Sequence, residues 1–243
     1  MVTHLNLMVL VLVLTLQEPV HTGEIIGGHE VVAHSRPYMV LLERHMSIGK
    51  NKYCDGFLLN EEFVMTAAHC HAKFYRVFLG LHDYRKQNGV WCVDVYKKFQ
   101  HKGFNETDFR NDIMLLKLSA EVKFNDKVKP VALADDDGSV PKSCVVPGWG
   151  TTEKGELSDV LLEVNVTLTD TEICAKENKY CSEGQTGPST GDSGGPLVCE
   201  DGKAYGVVSA SRPKPGGSTI YSYTKIPDKR DWIDCIIEHN GKC

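Results

Sequence analysis

The sequence has no CxxC pair, no Cys/His zinc spacing and no low-complexity tract. After its first residues it has no apolar run long enough to cross a bilayer. Without the cysteine spacings, zinc-ribbon and thioredoxin-type chemistry are excluded. Without compositional bias, disordered and collagen-like chains are excluded. A basic excess is also lacking, since 27 Lys and Arg stand against 32 Asp and Glu. Nothing therefore points to nucleic-acid binding. The basic clusters Arg212-Pro213-Lys214 and Lys97-Lys98 read as solvated surface, and no cofactor motif is present.

What is present is a 243-residue chain, 42% hydrophobic and 24% charged, with nine cysteines. This length fits one compact unit or two small ones and can bury a sizeable core. Leu5 to Leu16 is almost wholly apolar, too short for a membrane span and suited to the core of a signal peptide, although no Lys or Arg precedes it. Residues 1–22 are therefore expected to be a leader, and the remainder a soluble, exported protein. Nine cysteines agree with an oxidising compartment. The tripeptides Asn105-Glu106-Thr107 and Asn165-Val166-Thr167 are glycosylation acceptors by pattern. Asn165 lies in an alternating stretch that reads as a strand, so Asn105 is the better placed of the two.

Short apolar runs separated by turn signals dominate the rest of the chain. Met39–Leu42, Phe57–Leu59, Phe63–Thr66, Arg76–Leu79, Val93–Tyr96 and Ile113–Leu118 form a first set. Cys144–Val146, Leu161–Val166, Pro196–Cys199, Ala204–Ser209 and Ile220–Thr224 form a second. Such spacing predicts an all-β sandwich or barrel. The polar stretch from Ser119 to Lys129 separates the two sets. Helical spacing is visible only near the C-terminus, where Trp232, Ile233, Ile236 and Ile237 recur.

Three local motifs carry chemistry. Gly191-Asp192-Ser193-Gly194-Gly195-Pro196 sets a serine among glycines just before an apolar strand. Glycines leave the hydroxyl exposed and allow main-chain N–H groups to face an oxyanion. Thr66-Ala67-Ala68-His69-Cys70 ends a strand on an imidazole, the side chain suited to take and return a proton near neutral pH. Asn111-Asp112-Ile113 puts a carboxylate at the mouth of an apolar strand, where it can orient and charge-balance that imidazole. Each motif alone is an ordinary turn or a structural residue. Together, in the order His69, Asp112, Ser193, they form a catalytic triad.

From Ile25 to about Asp234 the sequence resembles the chymotrypsin-family serine proteases, through Ile25-Ile26-Gly27-Gly28, Gly148-Trp149-Gly150, Ser209 and Tyr223-Thr224-Lys225 as well as the triad. The resemblance implies two six-stranded antiparallel β-barrels packed face to face, barrel one over about 37–122 and barrel two over about 141–226. A C-terminal helix over about 229–239 completes the domain at 25–243. It implies that the N–H groups of Gly191 and Ser193 form an oxyanion hole, and that Ser209 bonds Asp112 and lines the cleft. The freed amine of Ile25 is expected to pair with the buried carboxylate of Asp192 and so order Gly191 to Ser193.

His34-Ser35-Arg36-Pro37-Tyr38-Met39, and Gly23-Glu24 before Ile25, resemble the granzymes and mast-cell proteases. That likeness implies removal of residues 23–24 by an aminodipeptidase, and a secreted or granule-stored product. Protein or peptide substrates and protein inhibitors are the expected partners, with a monomer as the expected state. It also implies the disulfides Cys54–Cys70, Cys144–Cys199 and Cys174–Cys181. Ser189 stands where digestive members have a further cysteine. Cys92, Cys235 and Cys243 stay unassigned, leaving open a free thiol, an intermolecular bond or another pairing. Loss of residues 1–24 removes two acidic residues and no basic ones, so the mature chain stays acidic, unlike proteases stored on polyanions. Leu81 occupies the place of a calcium-loop glutamate, so no metal is expected.

The primary pocket departs from the family pattern. Gly187, six residues before the nucleophile, takes the place of the aspartate that would attract Arg or Lys. Ala210 and Ser211 replace the usual wall residues after Ser209, and Tyr221 replaces a wall glycine. A phenol there is expected to restrict the pocket, unless its ring turns outward. Two functions follow: an endopeptidase of non-tryptic, restricted specificity, or a protease-fold binding protein with weak turnover.

Overall fold

The computed structural model describes residues 25–136 and 140–242. The expected leader and the Gly23-Glu24 dipeptide lie outside the described residues, as does Cys243.

The first half contains β1 (His29–Glu30), β2 (Met39–His45), β3 (Lys52–Leu58), β4 (Phe63–Thr66), β5 (Phe74–Leu79), β6 (Trp91–Gln100) and β7 (Met114–Leu118). The second contains β8 (Ser143–Gly148), β9 (Leu162–Thr167), the helix α1 (Glu172–Glu177) and β10 (Lys179–Gly184). It continues with β11 (Pro196–Cys199), β12 (Ala204–Pro213), β13 (Thr219–Lys225) and the helix α2 (Arg230–His239).

Strands β2 to β7 close into a barrel in the order β2-β3-β4-β7-β6-β5, with every pairing antiparallel. Leu42, Leu58, Val64, Val77 and Leu116 lie on one face of these strands and are fully buried, while Phe57, Met65 and Leu115 on the opposite face belong to the same buried cluster. The second sheet has seven strands in the order β1-β9-β8-β11-β12-β13-β10 and does not close. This corrects the expectation of two six-stranded barrels. The edge of β9 is occupied by β1, with His29 opposite Glu163, and the chain then leaves β9 for α1. Between the β9 and β10 ends, pairing shrinks to a bridge from Leu168 to Ser182 and a bond from Thr169 N to Cys181 O.

In β9, Leu162, Val164 and Val166 face inward while Asn165 and Thr167 face solvent, which is the alternation of a half-buried strand. The helix α1 and the strand β10 are absent from the sequence expectation. Residues 179–184 are mostly polar, and α1 is a short turn of helix capped by the Thr171 side chain, which accepts from Cys174 N. Both are too short or too polar for periodicity to reveal. The C-terminal α2 is amphipathic and buries Ile233 and Ile236 against the core of the first barrel. Between the two sheets lies a third cluster that includes Met39, Leu41, Phe78, Leu81, Trp149 and Leu161. Leu81 is thus a packing residue.

Disulfides join Cys54 to Cys70, Cys144 to Cys199 and Cys174 to Cys181. The first ties β3 to the turn that carries His69. Cys235, left unassigned by sequence, is also disulfide-bonded. Cys92, on β6, is free and exposed.

Candidate active site

The site lies where the two sheets meet, and its parts come from turns that follow or precede strands. His69 sits in a tight turn, Ala68–Cys70, directly after β4. Ala67 and Ala68 are fully buried, so only small side chains fit there. Arg44, buried on β2, donates to the carbonyls of His69 and His71, each at 3.1 Å, and to Cys54 Sγ at 3.3 Å. A guanidinium with its fixed fork of donors is well matched to holding such a turn. Nothing in the local sequence marks Arg44 as a site residue; only the packing brings it there.

Asp112 stands just before β7 and is fully buried. The preceding Phe109 and Asn111 have positive φ, 55° and 52°, a left-handed bend that Asn tolerates better than most residues. The Asn111 side chain donates to Gly103 O at 2.9 Å and fixes that bend. Asp112 Oδ1 accepts from His69 N at 2.9 Å, and Oδ2 lies 2.7 Å from His69 Nδ1. Ser209, from β12, donates its hydroxyl to Asp112 Oδ2 at 2.7 Å. Thr224, from β13, donates to Asp112 O at 3.1 Å. The second sheet therefore clamps a residue borne by the first. With Nδ1 facing the carboxylate, Nε2 is the nitrogen left to exchange a proton with substrate or nucleophile. The Phe109 ring packs edge-on to the His69 imidazole, with centroids 5.5 Å apart.

Ser193 is part-exposed in the turn before β11. Its carbonyl accepts from Asp55 N at 2.8 Å, which attaches the turn to β3. Gly191 and Gly194 have φ of 109° and 86°, values that L side chains rarely adopt. At Gly194 a Cβ would also meet Thr66 Oγ1 at 2.1 Å. Asp192 is fully buried and faces inward, accepting from Gly150 N and Ser189 N, both at 2.7 Å. Burial raises the pKa of this carboxyl, against the pull of those donors. Ile25 is fully buried in the core cluster that also contains Tyr221 and Tyr223, and Gly187 N donates to Ile26 O at 3.1 Å. The Ser189 hydroxyl, in place of a cysteine, bonds to Thr151.

Tyr221, on β13, is buried with only 2% of its surface exposed. Its ring lies against Gly187, where a Cβ would come within 2.4 Å of the ring. Across the strands it pairs with Ser211 on one side and Ser182 on the other. Ser211 is exposed and Ala210 part-exposed. Asn105 and Asn165 are both exposed, one in a loop and the other on β9.

Residues 25–233 match the family model described as Trypsin. Granzyme B of Rattus norvegicus is 37% identical over 244 residues, covering 94% of this chain and 97% of the relative. Chymase of Papio hamadryas is likewise 37% identical over 244 residues, with the same coverage. A solved structure named GrC superposes with a TM-score of 0.80 at 34% identity, covering 88% of this chain and 99% of that one. A family match over most of the chain, relatives of this identity and the His69–Asp112 pair agree: the protein belongs to the trypsin family of chymotrypsin-like serine proteases, closely related to granzymes and chymases.

Proposed function

We propose that this serine endopeptidase hydrolyses peptide bonds through an acyl-enzyme, with a primary pocket restricted by Tyr221. His69 Nε2 takes the proton of Ser193 Oγ as the oxygen attacks the scissile carbonyl, and Asp112 stabilises the imidazolium that forms. The N–H groups of Gly191 and Ser193 hold the oxyanion. His69 then protonates the leaving amine, and water repeats the sequence on the acyl-enzyme. Ser209 lines the substrate cleft together with Ala210 and Ser211.

The observation that carries the specificity is the Tyr221 ring lying against Gly187. A phenol in that position leaves little room for a long or aromatic side chain before the scissile bond. Gly187 supplies no charge to reward Arg or Lys. Small or polar residues are the side chains that fit. The test is cleavage profiling of the processed enzyme on a peptide library. Preference for small or polar residues supports the reading, brisk cleavage after Phe or Arg overturns it, and absence of cleavage favours a binding protein.

Processing belongs to the same reading. Residues 1–22 act as a leader, an aminodipeptidase removes Gly23-Glu24, and the Ile25 amine pairs with Asp192 within the domain at 25–243. Kinship with granule and mast-cell proteases supports a secreted or granule location. Protein inhibitors are the expected partners, and the exposed Cys92 thiol suits an intermolecular disulfide. Asn105 and Asn165, both exposed, are the sites for glycans.

A further inference from the structure

Strand β3 carries a carboxyl group into the interior directly behind the nucleophile. Asp55 is fully buried, between Cys54 and Gly56 and opposite Leu41 of β2. Its main chain already serves the site: N donates to Ser193 O, and O accepts from Thr66 Oγ1 at 2.7 Å. Its side chain is less well provided for. Oδ2 accepts from Trp149 N at 3.1 Å, whereas Oδ1 is buried without a hydrogen-bond partner.

Asp55 shares its space with Asp192. The point at which a side chain on Gly148 would begin lies 2.1 Å from Asp192 Oδ1 and 2.5 Å from Asp55 Oδ2. Both carboxyls close on that glycine, and nothing larger fits between them. Leu41 of β2, Thr66 of β4 and Trp149 bring no charge to the space. Tyr223 of β13 is within electrostatic reach of Asp192, but its hydroxyl is tied to Ser182 at 2.9 Å. Among the described residues no cationic side chain bears on either carboxyl.

Two adjacent carboxyls in a dry interior cannot both ionise without large cost. Their surroundings decide which one keeps the proton. Asp192 has an N–H donor on each oxygen, and donors favour the ionised form. Asp55 has one donor and a bare oxygen. Burial and the charge of Asp192 both drive its pKa upward. We propose that Asp55 is a positioning residue for peptide hydrolysis: a neutral carboxylic acid behind Ser193 that lets Asp192 stay ionised and hold Gly191 and Ser193 in place. The proposal rests on the reading of Asp192 as the partner of the Ile25 amine.

The sign of the pH effect follows. A carboxyl whose pKa is raised by folding favours the folded arrangement while it holds its proton, and that contribution is lost as pH rises through the raised value. Ionised Asp55 sets a second charge against Asp192, loosens the oxyanion turn and lowers turnover on the alkaline side. Asp55→Asn keeps the shape and carries no charge. The experiment compares kcat/KM against pH for the processed wild type and Asp55→Asn, together with their infrared spectra at neutral pH. Expected are a protonated-carboxyl band in the wild type that is missing in the variant, and an alkaline limb moved upward by about one pH unit or more. Absence of the band overturns the proposal, as does a limb that stays put. A limb that moves downward also overturns it, because loss of a neighbouring negative charge would then be destabilising the Ile25 ammonium. Failure of the ion-pair reading shows separately, as full activity of a chain that still begins at Gly23.

Discussion

Asp112 and Asp192 are both fully buried carboxylates at the edge of the same site, yet their surroundings differ. Asp112 is enclosed by His69 N, the His69 ring and the Ser209 hydroxyl, while Thr224 bonds its main chain. Those donors come from strands or turns of both sheets and do not depend on processing. Asp192 has two main-chain N–H groups and a second carboxyl, Asp55, as its neighbour. The His–Asp half is complete as folded. The nucleophile half is left short of positive charge, which a newly freed α-amine would supply. A buried charge that lacks its partner is costly, so such a centre is suited to act as a switch.

The largest effects come from removing the parts the two halves share. Ser193→Ala and His69→Ala should each lower kcat roughly a million-fold, and the double variant should be little worse than either alone. Retention of most activity by Ser193→Ala would break the comparison at its root, because no nucleophile half would then exist.

Next in size is the processing step. A chain beginning at Gly23 should fall short of the form beginning at Ile25 by about 10²–10³-fold in kcat or more, as expected when oxyanion donors are not in place. Active-site titration of the two forms checks this. Burial raises Asp192 in the unprocessed chain, and a neighbouring ammonium lowers it again. The Tm gained on processing should therefore shrink as pH falls and Asp192 takes up a proton. A gain that stays constant with pH would mean that no charge is needed.

Tyr221→Gly sharpens the reading of the cleft. Removing the ring from Gly187 should raise kcat/KM for Phe and Leu substrates by about 10–200-fold, the range set by apolar pocket contacts. It should also cost about 3–5 kcal/mol of stability, because a buried aromatic is lost from the core of the second sheet. Urea unfolding and parallel assays on Phe, Leu and Arg substrates measure both. An unchanged profile would mean that the pocket lies elsewhere.

The smallest effect tests the His–Asp half. Arg44→Leu removes the donors to the carbonyls of His69 and His71 and should cost about 1–3 kcal/mol of stability. It should lower kcat more than it raises KM, because Arg44 is buried and bears on the His69 turn. Equal kcat in the variant would show that β3 and the Cys54–Cys70 bond suffice to hold the turn.

Much of this was legible from residue order alone. Local pattern determined the apolar strands, the terminal helix and the three motifs around His69, Asp112 and Ser193, because each depends on neighbours a few positions away. The place of Tyr221 at a pocket wall came from the family resemblance, by counting from Ser209 to Tyr223, and its contact with Gly187 came from the tertiary structure. Tertiary structure alone decided the rest. That the second sheet stays open, with β1 beside β9 and only a bridge from Leu168 to Ser182 toward β10, is a matter of long-range pairing. The roles of Asp55 and Arg44 were invisible in Cys54-Asp55-Gly56 and Glu43-Arg44-His45, since a charged residue in a strand ordinarily faces water. Only the packing of β3 beneath the Ser193 turn, and of β2 beneath the His69 turn, brings those charges into the interior. Burial and partner geometry, which no local pattern encodes, then govern whether a carboxyl keeps its proton and whether a guanidinium becomes a clamp.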